Sequence, residues 1–257
     1  MHVTSSEMLS WVQLYLWPFV RIAALMSVAP VFGTRTVPMR IRLGIALVLT
    51  LVVVPTLPPF PRVDPLSVTA LLVTVQQLLA GLVMGFALTL VFSALITGGQ
   101  VAAQLMGLGF ASMMDPQNGV SVPVVGQFYT IVATLLFLVF DGHLVLIEMV
   151  NASFASLPVG QTMPAGNYWR LAAWGYWVFA GAVLVALPSI AALLMVNMAF
   201  GVLTRAAPQL NIFSVGFPAT ILFGFMVMLA SLPYFVPKFS QLLESAYVLI
   251  SQLLSVA

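Results

Sequence analysis

Ionisable side chains are sparse enough here to be weighed one by one: six acidic, eight basic and two histidines in 257 residues, with no cysteine. The densest grouping is Asp141, His143 and Glu148. One imidazole with two carboxylates could relay a proton or hold a metal, but zinc sites draw on three or four ligands, commonly with a second histidine. Asp141-Gly142 reads more simply as a turn between helices, with His143 beside it. Glu148 and Arg205 stand next to apolar spans, where a charge is costly and usually has a partner. They are expected either to form ion pairs between subunits or to sit as interfacial charges. Gly107-Leu108-Gly109-Phe110-Ala111-Ser112 imitates a dinucleotide fingerprint, but serine stands at its third glycine position and no strand-helix-strand unit surrounds it. No serine elbow, H-E-x-x-H pair or phosphate-binding loop occurs. No catalysis, metal or cofactor is therefore expected. Without cysteine, disulfide scaffolds and thiolate sites are excluded. The basic residues are too few for the stripe that nucleic acid requires.

A softer chemistry stands in the middle of the chain. Gln104 to Val125 reads QLMGLGFASMMDPQNGVSVPVV, with Met106, Phe110, Met113 and Met114 set among glycines beside the turn signal Asp115-Pro116. Unbranched thioethers adapt their shape to varied contacts. These residues fit a compliant plug in a pore that passes differing polypeptides, and they fit equally a core beside a loop.

The elements that would carry them follow from composition. The chain is 62% hydrophobic and 5% charged, with mean hydropathy +1.14, against roughly 25% charge in soluble domains. Such a chain cannot cover itself against water, and no polar stretch is long enough for a second folded unit, so a single all-α integral membrane module is expected. Six apolar spans emerge between the charges: about Met8 to Phe32, Ile41 to Leu57, Leu66 to Ile96, Gln127 to Phe140 with a continuation to Val150, Leu171 to Leu203, and Ala207 to Val236. Thr97 to Gly126, richer in Gly, Gln, Ser and Asn, reads as something other than a lipid-facing helix. Since about 20 residues cross a bilayer, spans of 30 must tilt, break or protrude. Pro188, Pro218 and Pro233 are expected to kink or break them. Gly81 and Gly85 form a G-x-x-x-G that permits close helix packing. Lys238 to Ala257 carries apolar residues at three- and four-residue spacing, one face of an amphipathic terminal helix. Arg35, Arg40 and Arg42 place the first connection in the cytoplasm by the positive-inside rule. The first ten residues contain Glu7 and no Lys or Arg, so a cleavable signal peptide is not expected. No repeat of 20 to 50 residues is found.

Several motifs, taken in order, resemble one family. They are Val37-Pro38-Met39-Arg40-Ile41-Arg42-Leu43-Gly44, Gln76-Gln77, Phe110-Ala111 followed by Asp115-Pro116, Phe140-Asp-Gly142-His143 with Leu157-Pro158, and Arg205-Ala-Ala-Pro208-Gln209-Leu-Asn211-Ile-Phe213-Ser-Val-Gly216-Phe-Pro218. The match is to the flagellar FliR family and its injectisome SctT relatives, and it covers nearly the whole chain.

That resemblance implies an export-gate subunit of the bacterial inner membrane and flagellar basal body, multi-pass, joined with several copies of FliP and FliQ in a helical cone of broken hydrophobic hairpins. It implies a FliP-like part over about 1–150 and a FliQ-like helical hairpin over about 165–257. FlhB is the implied outer partner, FlhA the ring that supplies unfolded flagellar proteins, and membrane lipid the surroundings. The middle loop, Met106 to Pro123, is implied to project into the lumen, with Met106, Phe110, Met113, Met114, Asp115 and Pro116 as gate. The motif residues Pro208, Gln209, Asn211, Phe213, Gly216 and Pro218 mark the family. An injectisome homologue is the nearest alternative. A secondary transporter is a further one, opposed by the near lack of intramembrane carboxylates for ion coupling. An intramembrane enzyme is opposed by the absence of a G-x-G-D pattern around Asp115 or Asp141 and of a serine elbow.

Overall fold

The computed structural model describes residues 5–58, 63–64, 67–108, 112–114, 121–207 and 212–255. Its elements run α1 (Ser5–Val28), α2 (Met39–Val53) with a short 3-10 turn after it, α3 (Val68–Leu105), β1 (Ser112–Met114), β2 (Ser121–Pro123), α4 (Val124–Val139), α5 (Gly142–Ser156), α6 (Ala165–Trp174), α7 (Tyr176–Ala206) and α8 (Ile212–Leu254). The architecture is all-α. Its departure among the described residues is one antiparallel ladder of three residues per strand. Among the described residues four stretches are long and apolar enough to cross a membrane: Met39–Thr56, Val68–Leu105, Ala165–Ala206 and Gly216–Leu254. A fifth is available if α4 and α5, bent by 65° at the break, count together. The chain forms two compact units: residues 1–89, 137–174 and 245–257 in the first, and residues 90–136 and 175–244 in the second.

In the first unit α1 lies against one ridge of α3, and the ridge follows the four-residue repeat of a helix face. A Cβ added to Gly81 would lie 2.2 Å from the Arg21 carbonyl oxygen, and one on Gly85 would lie 3.0 Å from the Leu25 carbonyl oxygen. Glycine alone allows this approach. Thr89, one turn further, donates its hydroxyl to the Val28 carbonyl at 2.8 Å. Gln77, one turn before, accepts the Arg21 Nε–H at 2.8 Å. The G-x-x-x-G motif is thus the middle of a longer seam, Gln77-Gly81-Gly85-Thr89.

Arg21 is 0% exposed. Its guanidinium donates from Nη1 to the Ser153 carbonyl at 2.8 Å and the Ser153 hydroxyl at 3.0 Å, and from Nη2 to the Leu157 carbonyl at 2.8 Å. It stacks over the Phe154 ring at 4.2 Å. No carboxylate is among these partners. The compensation comes from the C-terminal end of α5, where backbone carbonyls concentrate negative partial charge, the Ser153 carbonyl also accepting the Leu157 N–H at 2.9 Å, and from the face of an aromatic ring. One side chain thereby ties α1 to both α3 and α5. Trp17 and Phe154 join a buried cluster with Val53, Ala70, Val73 and Val159 beside it.

In the second unit small residues of α3 again set the spacing. A Cβ on Gly98 would meet the Ala182 carbonyl of α7 at 3.0 Å, and one on Gly99 the Tyr129 ring of α4 at 2.7 Å. Aromatics of α8 fill the remaining space. Phe239 meets Phe92 edge-on at 5.9 Å, and Phe235 meets Tyr129 at 5.1 Å.

Two sequence expectations need correction and a third is narrowed. α3 continues through Thr97 to Leu105, because Gly98 and Gly99 serve close packing there, a gain that offsets their low helix propensity. Pro188, Pro218 and Pro233 lie inside helices that run on past them, so the spans do not break there; each proline removes one rung of the ladder. The terminal amphipathic segment is the end of α8 and no separate helix. Its face, Phe239, Leu242, Leu243, Ala246 and Ile250, is buried. By contrast Asp141-Gly142 is the turn expected: Asp141 has φ 54°, and a Cβ on Gly142 would lie 2.5 Å from the Phe137 ring.

Arg21→Ala is expected to lower stability by about 3 kcal/mol, since it removes the donor to the Gln77 amide oxygen and the Leu157 carbonyl and empties a buried site. Arg21→Lys should recover less than half, one ammonium being unable to span acceptors fixed for a planar fork. Denaturation midpoints in a common detergent would measure both.

Candidate functional site

The segment singled out for gating leaves α3 through a defined stop. Gly107 has φ +78°. Its N–H bonds to the Gln104 carbonyl at 3.1 Å, and the Leu108 N–H bonds to the Ala103 carbonyl at 2.9 Å. This pair of bonds closing over a left-handed glycine is the Schellman end of a helix. Gly107 is therefore a fixed terminator. A Cβ there would also press on the Phe217 ring of α8 at 2.9 Å.

Beyond the stop, β1 and β2 pair antiparallel with Ser112 opposite Pro123, Met113 opposite Val122 and Met114 opposite Ser121. β2 passes directly into α4 at Val124. The segment between α3 and α4 is thus a hairpin rooted on two helices of the second unit. Met113 and Met114 lie in β1, whereas Phe110, Asp115 and Pro116 fall outside the described residues.

Met106 sits at the root of this hairpin, 1% exposed. It lies across Gly224 of α8, where a Cβ would come within 2.4 Å of its Cγ. Beside that contact a pocket of about 440 Å³ opens, lined by Gln104, Leu105, Gly107, Asn197, Phe200, Gly216, Phe217 and Thr220. The structure so brings together the α3 end from which the methionine-rich segment departs, at Gln104, Leu105 and Gly107, and Gly216 and Phe217 of the Arg205 to Pro218 motif. Gly216 is buried, Pro218 and Arg205 are exposed, and Arg205 lies in the last turn of α7. Pro208, Gln209 and Asn211 are outside the described residues, and Phe213 lies in the first turn of α8. Glu148 is exposed on α5, in the first unit.

Arg21, which is not among the residues expected to act from the sequence, donates four hydrogen bonds within the first unit. The signal was present, since an arginine within an apolar span needs a partner wherever it goes. Nothing in the sequence marks Gly224 or Phe217 as the surfaces under Met106 and Gly107, since that pairing belongs to tertiary packing.

Gly107→Ala should destabilise by roughly 1–2 kcal/mol, from a positive φ and the contact with Phe217. Gly201→Ala, in α7 with nothing within 4 Å of the added methyl, should be neutral or gain up to about 1 kcal/mol. Paired thermal melts of the two variants would separate a required glycine from an incidental one.

The model of the family described as "Bacterial export proteins, family 1" matches residues 12–246. The chain is 38% identical over 256 residues to the "Flagellar biosynthetic protein FliR" of Escherichia coli (strain K12), spanning 99% of this chain and 98% of that one. It is 39% identical over 252 residues to the protein of that name from Pectobacterium carotovorum subsp. carotovorum, spanning 98% and 96%. It is 30% identical over 221 residues to the one from Bacillus subtilis (strain 168), spanning 84% of each. Helices long enough for a membrane, few charges and a likeness that runs from end to end agree with one another, and this chain belongs to the bacterial export proteins, family 1.

Proposed function

We propose that the protein is a core subunit of the flagellar protein export gate in the bacterial inner membrane, where it joins FliP and FliQ in a conduit for unfolded flagellar proteins. The observation that carries the reading is the end-to-end likeness to proteins named for flagellar biosynthesis. Such coverage leaves little room for a different arrangement of elements. In this reading the chain does no chemistry. It contributes helices and a hairpin to a passage whose energy is supplied elsewhere, with FlhB against the outside of the cone and FlhA delivering cargo from the cytoplasm. The FliP-like part over about 1–150 and the FliQ-like hairpin over about 165–257 belong to the same proposal.

The gate is assigned to the hairpin between α3 and α4. Met106 anchors its root on Gly224, and Phe110, Met113 and Met114 are proposed to form the compliant apolar closure, with Asp115-Pro116 turning the tip. An apolar constriction holds back water and ions without charged groups, and soft thioethers conform to chains of differing sequence. The Schellman stop at Gly107 supports this assignment, because a closure must be held at its base even where its tip yields. Glu148 and Arg205, both exposed on their own units, are proposed to meet charges on neighbouring subunits.

Two measurements test the proposal. Co-expression with FliP and FliQ should give a detergent-stable complex containing this chain; a chain that purifies alone from such cells would refute the assembly. Replacing Phe110, Met113 and Met114 together by glycine should raise small-ion leakage through the complex in liposomes by about tenfold or more. Unchanged leakage with normal assembly would remove the hairpin from the gate while leaving the subunit assignment intact.

A further inference from the structure

Of the three arginines at the α1–α2 turn and the start of α2, Arg42 is occupied, while Arg35 and Arg40 have no partner among the described residues. Arg42 donates from Nε to the Val37 carbonyl at 2.9 Å and from Nη2 to the Thr34 carbonyl. Thr34 in turn donates to the Val31 carbonyl at 3.1 Å and meets the Thr36 hydroxyl at 2.8 Å. Val31 itself is held at φ 72°, an uncommon conformation for a β-branched residue. The turn is therefore a built object, clamped from within by Arg42. Arg35 and Arg40 are exposed and have no hydrogen-bond or ion-pair partner among the described residues.

Arg40 also heads a stripe. Residues 40, 44, 47, 48, 51 and 52 fall on one face of α2 by helical spacing. Below Arg40 comes Gly44, where an added Cβ would meet nothing within 4 Å. Then come Leu47, Val48, Leu51 and Val52, each more than half exposed. The face offers no polar group below its head: Thr50 is buried and turns its hydroxyl onto the Ala46 carbonyl at 2.6 Å. From Arg40 to Val52 the rise is about 18 Å, close to the roughly 15 Å of one leaflet's hydrocarbon.

From this we propose that the α1–α2 turn and the outer face of α2 form a binding site for an anionic phospholipid. The phosphate is held by Arg35 and Arg40, the glycerol region enters the notch at Gly44, and an acyl chain lies along the aliphatic stripe. Charge complementarity selects the headgroup, since two unpaired guanidiniums at the edge of an apolar face attract phosphate. The two cations at the head of an exposed aliphatic stripe about one leaflet long match the charge and length of such a lipid.

Native mass spectrometry of the full-length chain in a neutral detergent would count retained lipids during titration with phosphatidylglycerol and with phosphatidylcholine. Phosphatidylglycerol should be retained in preference. Arg35→Gln with Arg40→Gln should weaken it about thirtyfold, the factor expected for two arginines against an anionic headgroup. Arg35→Lys with Arg40→Lys should keep most of the preference. Arg42 is untouched in both variants, so the turn keeps its clamp. Equal retention of the two lipids, or a glutamine variant that binds phosphatidylglycerol as before, would overturn the site. A photoreactive side chain at Val48 supplies a second reading in cells: an adduct with phospholipid supports the proposal, and an adduct with a polypeptide replaces lipid by a protein on this face.

Discussion

A guanidinium cannot be left bare in an apolar interior, and the first unit is organised around meeting that demand. Arg21 reaches it without a carboxylate, through the amide oxygen of Gln77, the hydroxyl and carbonyl of Ser153, the carbonyl of Leu157 and the ring of Phe154. Neutral acceptors at a helix end spread the compensation over several groups, so no single partner carries a full opposing charge. The arrangement also forces geometry. Four bonds from one planar group fix α1 against α3 and fix where α5 must end. The glycine seam at Gly81 and Gly85 depends on the same register, because a shift of α1 by one residue would bring side chains onto positions that tolerate none.

The second unit solves a different problem with similar means. Here α3 offers Gly98 and Gly99 to two different helices, and α8 answers with Phe235 and Phe239. Small residues bring backbones together and large ones fill what remains, which is how packing gains on a neutral apolar background. The hairpin takes its base from this packed region. Its two ends, Gly107 and Val124, leave from helices that already touch, so the loop is short-circuited at its root.

How much of this the sequence discloses depends on the range of the interaction. Membrane character, the approximate spans and the turn at Asp141-Gly142 were legible because composition and local backbone preference determine them. The G-x-x-x-G was legible as packing, though not as the middle of a four-step ridge. The helicity of Thr97 to Leu105 was hidden, since glycine and glutamine signal a loop unless the partner helix is known. Pro188, Pro218 and Pro233 left two readings open, a kink or a break, and the continuous helices decide against the break. The Gly107 stop had a visible glycine but needed Phe217 to show why nothing larger fits. Of the named gate residues, Met106 is placed at the root and Met113 and Met114 in β1, while Phe110, Asp115 and Pro116 lie outside the described residues.

The Arg21 cage also imposes an order on biogenesis. Arg21 precedes Leu157 by 136 residues, which at 5–20 residues per second is roughly 7 to 27 s of synthesis. Through that interval its acceptors at the end of α5 do not yet exist. The guanidinium must wait in water or in the hydrated path of the insertion machinery, and α1, though synthesised well ahead of α5, settles only once α5 has ended.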